Sequence, residues 1–116
     1  MQETIVVAYR EDKLNSYVLS WMESQSDKRV IAVHFGSETA PMLSNVATVV
    51  GANRVYMIEG DPLKIQDLNY RAHRLLQIAE KECAQEIAVD LELYDILVNL
   101  KENKNKIKIV SPEAQL

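Results

Sequence analysis

Short runs of apolar residues alternate along the chain with longer stretches in which apolar residues recur at helical spacing. Residues 5–8, 30–35 and 55–58 form such runs, which are typical of strands buried on both faces of a parallel sheet. We expect residues 5–8 to form the central strand. Residues 107–110 are interleaved with lysine, and this pattern predicts a half-exposed edge strand.

Helical spacing predicts three helices between these strands. The first covers residues 14–22, the second begins near Thr39 and ends at Gly51, and the third begins near Asp67. Before the third helix, residues 60–62 (Gly-Asp-Pro) predict a turn. The apolar positions of the third helix are expected to face inward: Leu68, Ala72, Leu75, Leu76, Ala79 and Cys83. Its charged residues are expected on a solvated face: Arg71, Arg74, Glu80, Lys81 and Glu82.

Residues 87–100 decide the number of strands, and their pattern fits two interpretations. They form either a strand followed by a helix, or a continuation of the third helix followed by a strand at residues 95–98. The second interpretation is the one we favour from the sequence.

Strands that alternate with helices through short connections predict right-handed crossovers and a parallel sheet with helices on both faces. We therefore expect an α/β, three-layer, doubly wound fold of the Rossmann-like kind, with a mostly parallel sheet of four to five strands. A chain of 116 residues with 47% hydrophobic residues argues for one domain over residues 1–116.

Composition narrows the functional classes. The chain has a formal net charge of −4. We therefore do not expect it to present the basic surface that nucleic-acid-binding proteins require. No apolar run approaches the roughly 20 residues of a membrane span, and the first residues do not resemble a signal peptide. Cys83 is the single cysteine, so the chain cannot form an intrachain disulfide, and a reducing compartment is favoured. We expect Cys83 to be a small, buried apolar residue. We expect a cytoplasmic protein that contacts neither nucleic acid nor membrane.

The carboxyl ends of the first two strands are the place where a nucleotide would bind in such a sheet. The candidate contacts are the backbone of Ala8, Tyr9 and Arg10, and of Gly36 and Ser37. The chain has only three glycines and none after Gly60, so it contains neither a GxGxxG fingerprint nor a P-loop. We therefore expect no bound cofactor.

No residue pattern indicates an enzyme. His34 beside Asp12 or Glu59 is a candidate general base, but no nucleophile with a supporting base accompanies it. His73 is expected to be solvated. Two histidines and one cysteine are too few for a metal site. The acidic residues of the second half are expected on solvated faces: Glu80, Glu82, Glu86, Asp90 and Glu92.

Three stretches resemble, in order and spacing, the N-terminal domain of the electron transfer flavoprotein alpha subunit. Residues 12–15 (DKLN) are similar to the family's GKLN, with aspartate in the glycine position. Residues 51–56 (GANRVY) are similar to its GADKVY. Residues 61–63 (DPL), followed by Tyr70, Ala72 and Leu75, resemble its lead into the third helix. The match covers residues 4–81.

The resemblance implies the fold and a scaffold that contacts a partner subunit, without a flavin site. In the family a C-terminal domain holds most FAD contacts, and we expect this protein to act without such a domain. The family's glycine- and threonine-rich segment after the fourth strand is replaced here by residues 91–106. The same topology belongs to universal stress proteins and other adenine nucleotide alpha hydrolase-like domains, whose ATP-binding members carry a glycine-rich motif that residues 99–106 lack.

Two functions remain open from the sequence. The first is a scaffold or protein-interaction domain that associates with itself or with a flavoprotein-type partner subunit, through the edge strand at residues 107–109 and the aromatic first helix. The alternative is a small adenine-nucleotide-binding module that holds AMP or ATP at the ends of the first two strands.

Overall fold

Five strands and three helices make up the part of the chain described by this computed structural model, namely residues 2–10, 24–25, 27–35, 52–58, 61–100 and 105–109. The strands are β1 (Thr4–Arg10), β2 (Arg29–Phe35), β3 (Arg54–Ile58), β4 (Glu86–Val89) and β5 (Lys106–Ile109). The helices are α1 (Pro62–Gln66), α2 (Leu68–Lys81) and α3 (Leu91–Asn99). Among the predicted elements, the helix over residues 14–22 and the helix between Thr39 and Gly51 lie outside the described residues.

The strands form one all-parallel sheet in the order β3-β2-β1-β4-β5. β1 is central, as its apolar run predicts: Ile5 pairs with Val30 of β2 on one side and with Glu86 of β4 on the other. The order reverses at β1, which is the signature of a doubly wound, Rossmann-like α/β fold. The predicted fold class is confirmed, with five strands.

Both faces of the central strands are buried. Val6 and Ala8 of β1 pack with Ala72 and Leu75 of α2 in the main core, so the α2 side of the sheet is covered. Side chains of a strand alternate between the two faces. Ile5 and Val7 must therefore point to the opposite side, and both are fully buried as well. Burial on both sides is the reason that these runs contain almost only apolar residues.

Residues 87–100 correct one expectation from the sequence. The chain leaves α2 at Lys81, forms β4 and then forms α3, so the favoured interpretation of a continued helix and a strand at residues 95–98 is wrong. The other interpretation, a strand followed by a helix, is the one observed. The four residues of β4 are all buried between β1 and β5, and Asp90 directly after them caps α3.

The end of α2 corrects a second expectation. Cys83 is exposed and adopts a left-handed conformation with φ of 55°, so the expectation of a buried small residue is wrong. The Ala84 N–H donates to the carbonyl of Ala79 (2.9 Å) and the Cys83 N–H donates to that of Glu80 (3.2 Å). These two bonds form a Schellman motif, in which the left-handed position is usually occupied by glycine.

The start of α1 differs in part from the turn predicted at residues 60–62. Gly60 lies outside the described residues, while Asp61 caps a short helix in which Pro62 is the first residue. Proline, which has no backbone N–H, is tolerated there because the N–H groups in the first turn of a helix have no acceptor within the helix.

Candidate functional site

The crevice at the carboxyl edge of the sheet, where the strand order reverses between β1 and β4, is the place where ligands bind in folds of this kind. Ala8 lies in β1 with a buried side chain, and its backbone is in register with that of Val33 in β2. Tyr9 and Arg10 end β1 opposite His34 and Phe35 of β2. Gly36 and Ser37, the other predicted contacts, lie outside the described residues. The structure thus brings the ends of β1 and β2 together.

Aspartate side chains cap the helix N-termini near this edge. The Leu93 N–H donates to Asp90 Oδ1 at the start of α3 (3.1 Å), and the Leu63 N–H donates to Asp61 Oδ1 at the start of α1 (2.9 Å). Helix N-termini attract phosphate because their N–H groups are unpaired and carry partial positive charge. A carboxylate of the chain itself satisfies these donors and repels a second anion.

The remaining described helix, α2, also starts with an aspartate cap. Asp67 accepts hydrogen bonds from the N–H groups of Asn69 (2.8 Å) and Tyr70 (3.2 Å) at the start of α2. Every helix that the structure describes therefore begins with an aspartate cap. An aspartate directly before an apolar helical stretch is the sequence signal for such a cap. It marks Asp67 as the start of the predicted third helix, and it is also present at Asp61 and Asp90.

His34 is fully buried within β2. It pairs with Tyr9 and Met57 of the neighbouring strands, and strand alternation places it on the face opposite to α2 and α3. Asp12 and Glu59, its predicted carboxylate partners, lie outside the described residues. The imidazole is therefore enclosed near the carboxyl end of β2. His73, by contrast, is exposed as expected, with Nδ1 2.8 Å from the carbonyl of Asn69.

Arg71 was expected on the solvated face of α2, and this expectation is wrong because the side chain is buried. Its guanidinium donates to the carbonyls of Ile65 (2.6 Å) and Gln66 (3.1 Å) at the end of α1. The same group lies 5.9 Å from the ring centroid of Phe35, within the range of a cation–π contact. Arg71 thus joins the last carbonyls of α1 to the end of β2.

At the opposite, amino edge of the sheet, the buried Glu82 side chain forms a cluster with Arg29, Arg54 and Tyr56, here called the Glu82 cluster. Arg29 Nη2 lies 2.5 Å from Glu82 Oε1, and Arg54 Nη1 lies 2.8 Å from Oε2. The Tyr56 hydroxyl also donates to Oε2. The Glu82 side chain is only 3% exposed, so the expectation of a solvated carboxylate is wrong.

These donors determine the charge state of Glu82. The hydrogen bond from Tyr56, together with that from Arg29 and the positive charges of Arg54 and Arg29, lowers the pKa of Glu82 from 4.5 to about 2, against the opposing effect of burial. Glu82 follows the last residue of α2, where the helix dipole disfavours an anion. The three donors outweigh that effect and tie the end of α2 to β2 and β3.

Glu86 at the start of β4 forms a second ion-pair cluster. Its two carboxylate oxygens each lie 2.7 Å from a lysine ammonium, Oε1 from Lys28 and Oε2 from Lys108. Burial alone would raise the pKa of Glu86, but the hydrogen bonds from Lys108 and Lys28 lower it below its usual value. Glu86 is buried, so its expected position on a solvated face is also wrong. Both clusters stabilise the sheet on the edge that lies away from the crevice.

Two further findings concern the described residues as a whole. No group of three or more His, Cys, Asp or Glu side chains among them is arranged to hold a metal ion. None of the described helices is long and apolar enough to cross a membrane.

Comparison with known proteins supports the fold and no more. No protein-family model matches the chain, and no curated protein matches it significantly. Among solved structures, the crystal structure of histidinol dehydrogenase from Elizabethkingia anophelis is similar with a TM-score of 0.54 and 9% sequence identity, over 98% of this chain and 28% of that chain. The chain therefore spans less than a third of that enzyme, and the likeness is one of architecture.

Proposed function

We propose that this chain is a cytoplasmic protein-interaction domain without a nucleotide or flavin site, related to the N-terminal domain of the electron transfer flavoprotein alpha subunit. The proposal rests on one observation. The carboxylates of Asp61 and Asp90 cap the N-termini of α1 and α3 near the carboxyl edge of the sheet. A phosphate at either position would have to displace a carboxylate that already holds the N–H groups.

The distribution of ionisable side chains supports a role without catalysis. The charged clusters with perturbed pKa values, around Glu82 and Glu86, lie at the amino edge of the sheet. Ligands of open α/β sheets bind at the other edge. There His34 is buried, and Asp90 is engaged as a helix cap. Paired carboxylates in ion-pair networks are a structural cause of pKa shifts rather than evidence of catalysis.

The sequence resemblance supports kinship with the flavoprotein alpha subunit. Two of its three motifs fall mainly on described elements: residues 52–56 lead into β3, and residues 61–63 lead through α1 into α2. The family's glycine-rich segment would follow β4, where Asp90 and α3 stand instead.

The test is a calorimetric titration of the purified chain with AMP, ATP and FAD, each up to millimolar concentration. We expect no saturable heat with any of them. Asp90→Asn and Asp61→Asn each keep a capping side chain and remove its charge, and we expect no saturable heat with either variant. Saturable binding of a nucleotide to the unmodified chain would contradict the proposal.

The adenine-nucleotide-binding module remains the second candidate because the strand order reverses at β1 and places the ends of β1 and β2 side by side. It predicts saturable binding of AMP or ATP near Arg10. It also predicts that Gly36→Val weakens this binding, since close backbone approach to a phosphate requires glycine. Unchanged affinity in that variant would remove the predicted site.

A further inference from the structure

The two flanks of helix α2 differ in charge. On one flank, His73 and Glu80 line a cavity together with Asn105, which directly precedes β5. On the other flank, the ammonium of Lys81 lies 5.7 Å from the ring centroid of Tyr56 in β3. β3 and β5 are the two outer strands of the sheet. One flank of α2 therefore faces β5, and the other faces β3.

The flank that faces β3 is basic. Arg74 precedes Lys81 by seven residues, or two helical turns, so both side chains lie on this flank, about 10 Å apart along the helix axis. Among the described residues, neither side chain takes part in an ion pair. Arg74 donates to the neutral amide of Gln77 (2.9 Å), and Lys81 is exposed. These two cations are thus not neutralised by a described carboxylate.

Two arginines continue this basic surface onto the sheet. Arg29 at the start of β2 and Arg54 at the start of β3 both pair with Glu82, which follows α2. The Glu82 side chain is 3% exposed, whereas the Arg29 and Arg54 side chains are 32% and 54% exposed. The carboxylate therefore lies beneath the two guanidinium groups, and solvent meets the cations. We call Arg29, Arg54, Arg74 and Lys81 the basic stripe.

The basic stripe carries excess positive charge. Its four cations are paired with a single described carboxylate, that of Glu82, although the formal net charge of the whole chain is −4. The guanidinium of Arg54 has five N–H groups, of which one on Nη1 is donated to Glu82 (2.8 Å). A half-exposed guanidinium of this kind is suited to a two-point contact with a second carboxylate.

We infer that the basic stripe is the docking surface for an acidic segment of a partner protein, whose carboxylates reach Arg54, Arg74 and Lys81. The inference rests on the proposed interaction function and names the chemistry of the partner. An extended segment of about five residues presents three side chains on one side over about 13 Å, which spans the distance between Arg74 and Lys81. Because Glu82 already holds Arg54 in place, binding orders few additional side-chain bonds there.

Nucleic acid is the polyanion that fits this surface less well. Nucleic-acid-binding domains carry a large basic excess, whereas this chain is acidic overall. Exposed carboxylates also stand near both ends of α2, at Asp67 and Glu80, where they repel the phosphates of a long strand.

Fluorescence anisotropy of a labelled peptide tests the inference on the whole chain. The probe is a peptide of about eight residues that alternates glutamate with serine, and the control probe has glutamine in place of each glutamate. We expect saturable binding of the glutamate peptide alone. This binding should weaken between about 0.01 M and about 0.15 M ionic strength, because salt screens exposed charges. Absence of saturable binding at the lower ionic strength would overturn the inference.

Two double variants locate the site. Arg74→Gln/Lys81→Gln removes two cations that do not pair with Glu82, so we expect unchanged folding and about tenfold weaker peptide binding. Lys64→Gln/Lys106→Gln is the matched control, because it removes the same number of charges from exposed lysines outside the basic stripe, and we expect little change. Equal weakening by both would mean that the peptide responds only to net charge, and would overturn the inference.

Two further titrations separate this inference from its alternatives. A labelled single-stranded oligonucleotide with the same number of charges as the peptide should bind less tightly, and tighter binding would overturn the inference in favour of nucleic acid. Saturable binding of AMP, ATP or FAD that persists in Arg74→Gln/Lys81→Gln would refute the proposed function independently of the peptide. Loss of the peptide result alone would leave an interaction domain with a different partner surface.

Discussion

Replacing the buried carboxylate of the Glu82 cluster by an amide, Glu82→Gln, should cost about 2 kcal/mol of unfolding free energy at neutral pH. The fall of the pKa of Glu82 from 4.5 to about 2 corresponds to roughly 3 kcal/mol, at about 1.4 kcal/mol per pH unit. Its partners Arg29 and Arg54 are 32% and 54% exposed, so solvent screening reduces the cost to the lower figure.

The pH dependence has a defined sign. Because the folded chain holds the pKa of Glu82 below its usual value, the stabilisation is present above about pH 5 and is lost as the pH falls towards about 2. The difference in unfolding free energy between wild type and Glu82→Gln should therefore shrink over this interval, since a protonated carboxyl group is neutral like the amide.

Urea unfolding followed by far-ultraviolet circular dichroism, repeated at several pH values, measures both effects. Glu80→Gln is the control, because Glu80 is exposed two residues earlier on α2, and its effect should stay within about 0.5 kcal/mol. A Glu82→Gln variant as stable as Glu80→Gln at neutral pH, or a difference from wild type that does not depend on pH, would refute the reasoning.

Three further substitutions test other parts of the structure by their shift in thermal midpoint. Cys83→Gly should stabilise the chain by about 1 kcal/mol, since glycine adopts the observed φ without strain; a lower midpoint would contradict the Schellman geometry. Asp90→Ala should cost about 1 kcal/mol through loss of the α3 cap, whereas Asp95→Ala on the same helix should cost little; equal effects would argue against capping. Arg71→Met should cost about 3 kcal/mol because it leaves the carbonyls of Ile65 and Gln66 without this donor, and a neutral result would mean that Arg71 is not needed for packing.

The strands and α2 could be predicted because their patterns are local. The runs at residues 5–8, 30–35 and 55–58 contain almost only apolar residues, and each lies within an observed strand. For α2, the spacing of Ala72, Leu75 and Ala79 reflects one face packed in the core. In these segments burial alone determines which residues are apolar. The sequence pattern therefore directly indicates a buried strand or a helix with one buried face.

The failure at residues 87–100 has a physical reason in α3. A helix that is apolar on its core face and on a flank loses the clear period of an amphipathic helix. Leu91, Tyr94 and Val98 blur the pattern that Leu93 and Leu97 would give alone. The aspartate cap at Asp90 was the local signal that could have resolved it.

The charged clusters could not be predicted, because their partners are distant in sequence. Glu82 pairs with Arg29 across 53 residues, and Glu86 pairs with Lys28 across 58 residues. On a helix or strand taken alone, a glutamate indicates solvent exposure. Only the parallel sheet, which gathers the beginnings of all its strands at one edge, brings these charges together.

The central claim is that the chain has no nucleotide or flavin site. Its most direct test is an analysis of the small molecules that remain bound to the protein when it is purified from cells. The protein is purified without added ligand and denatured, and the released compounds are separated and detected by absorbance and mass. We expect no FAD and no adenine nucleotide in stoichiometric amount, as an interaction domain with aspartate-capped helices requires. Release of either compound at about one molecule per chain would contradict the claim and establish the crevice between β1 and β4 as the first place to search for its site.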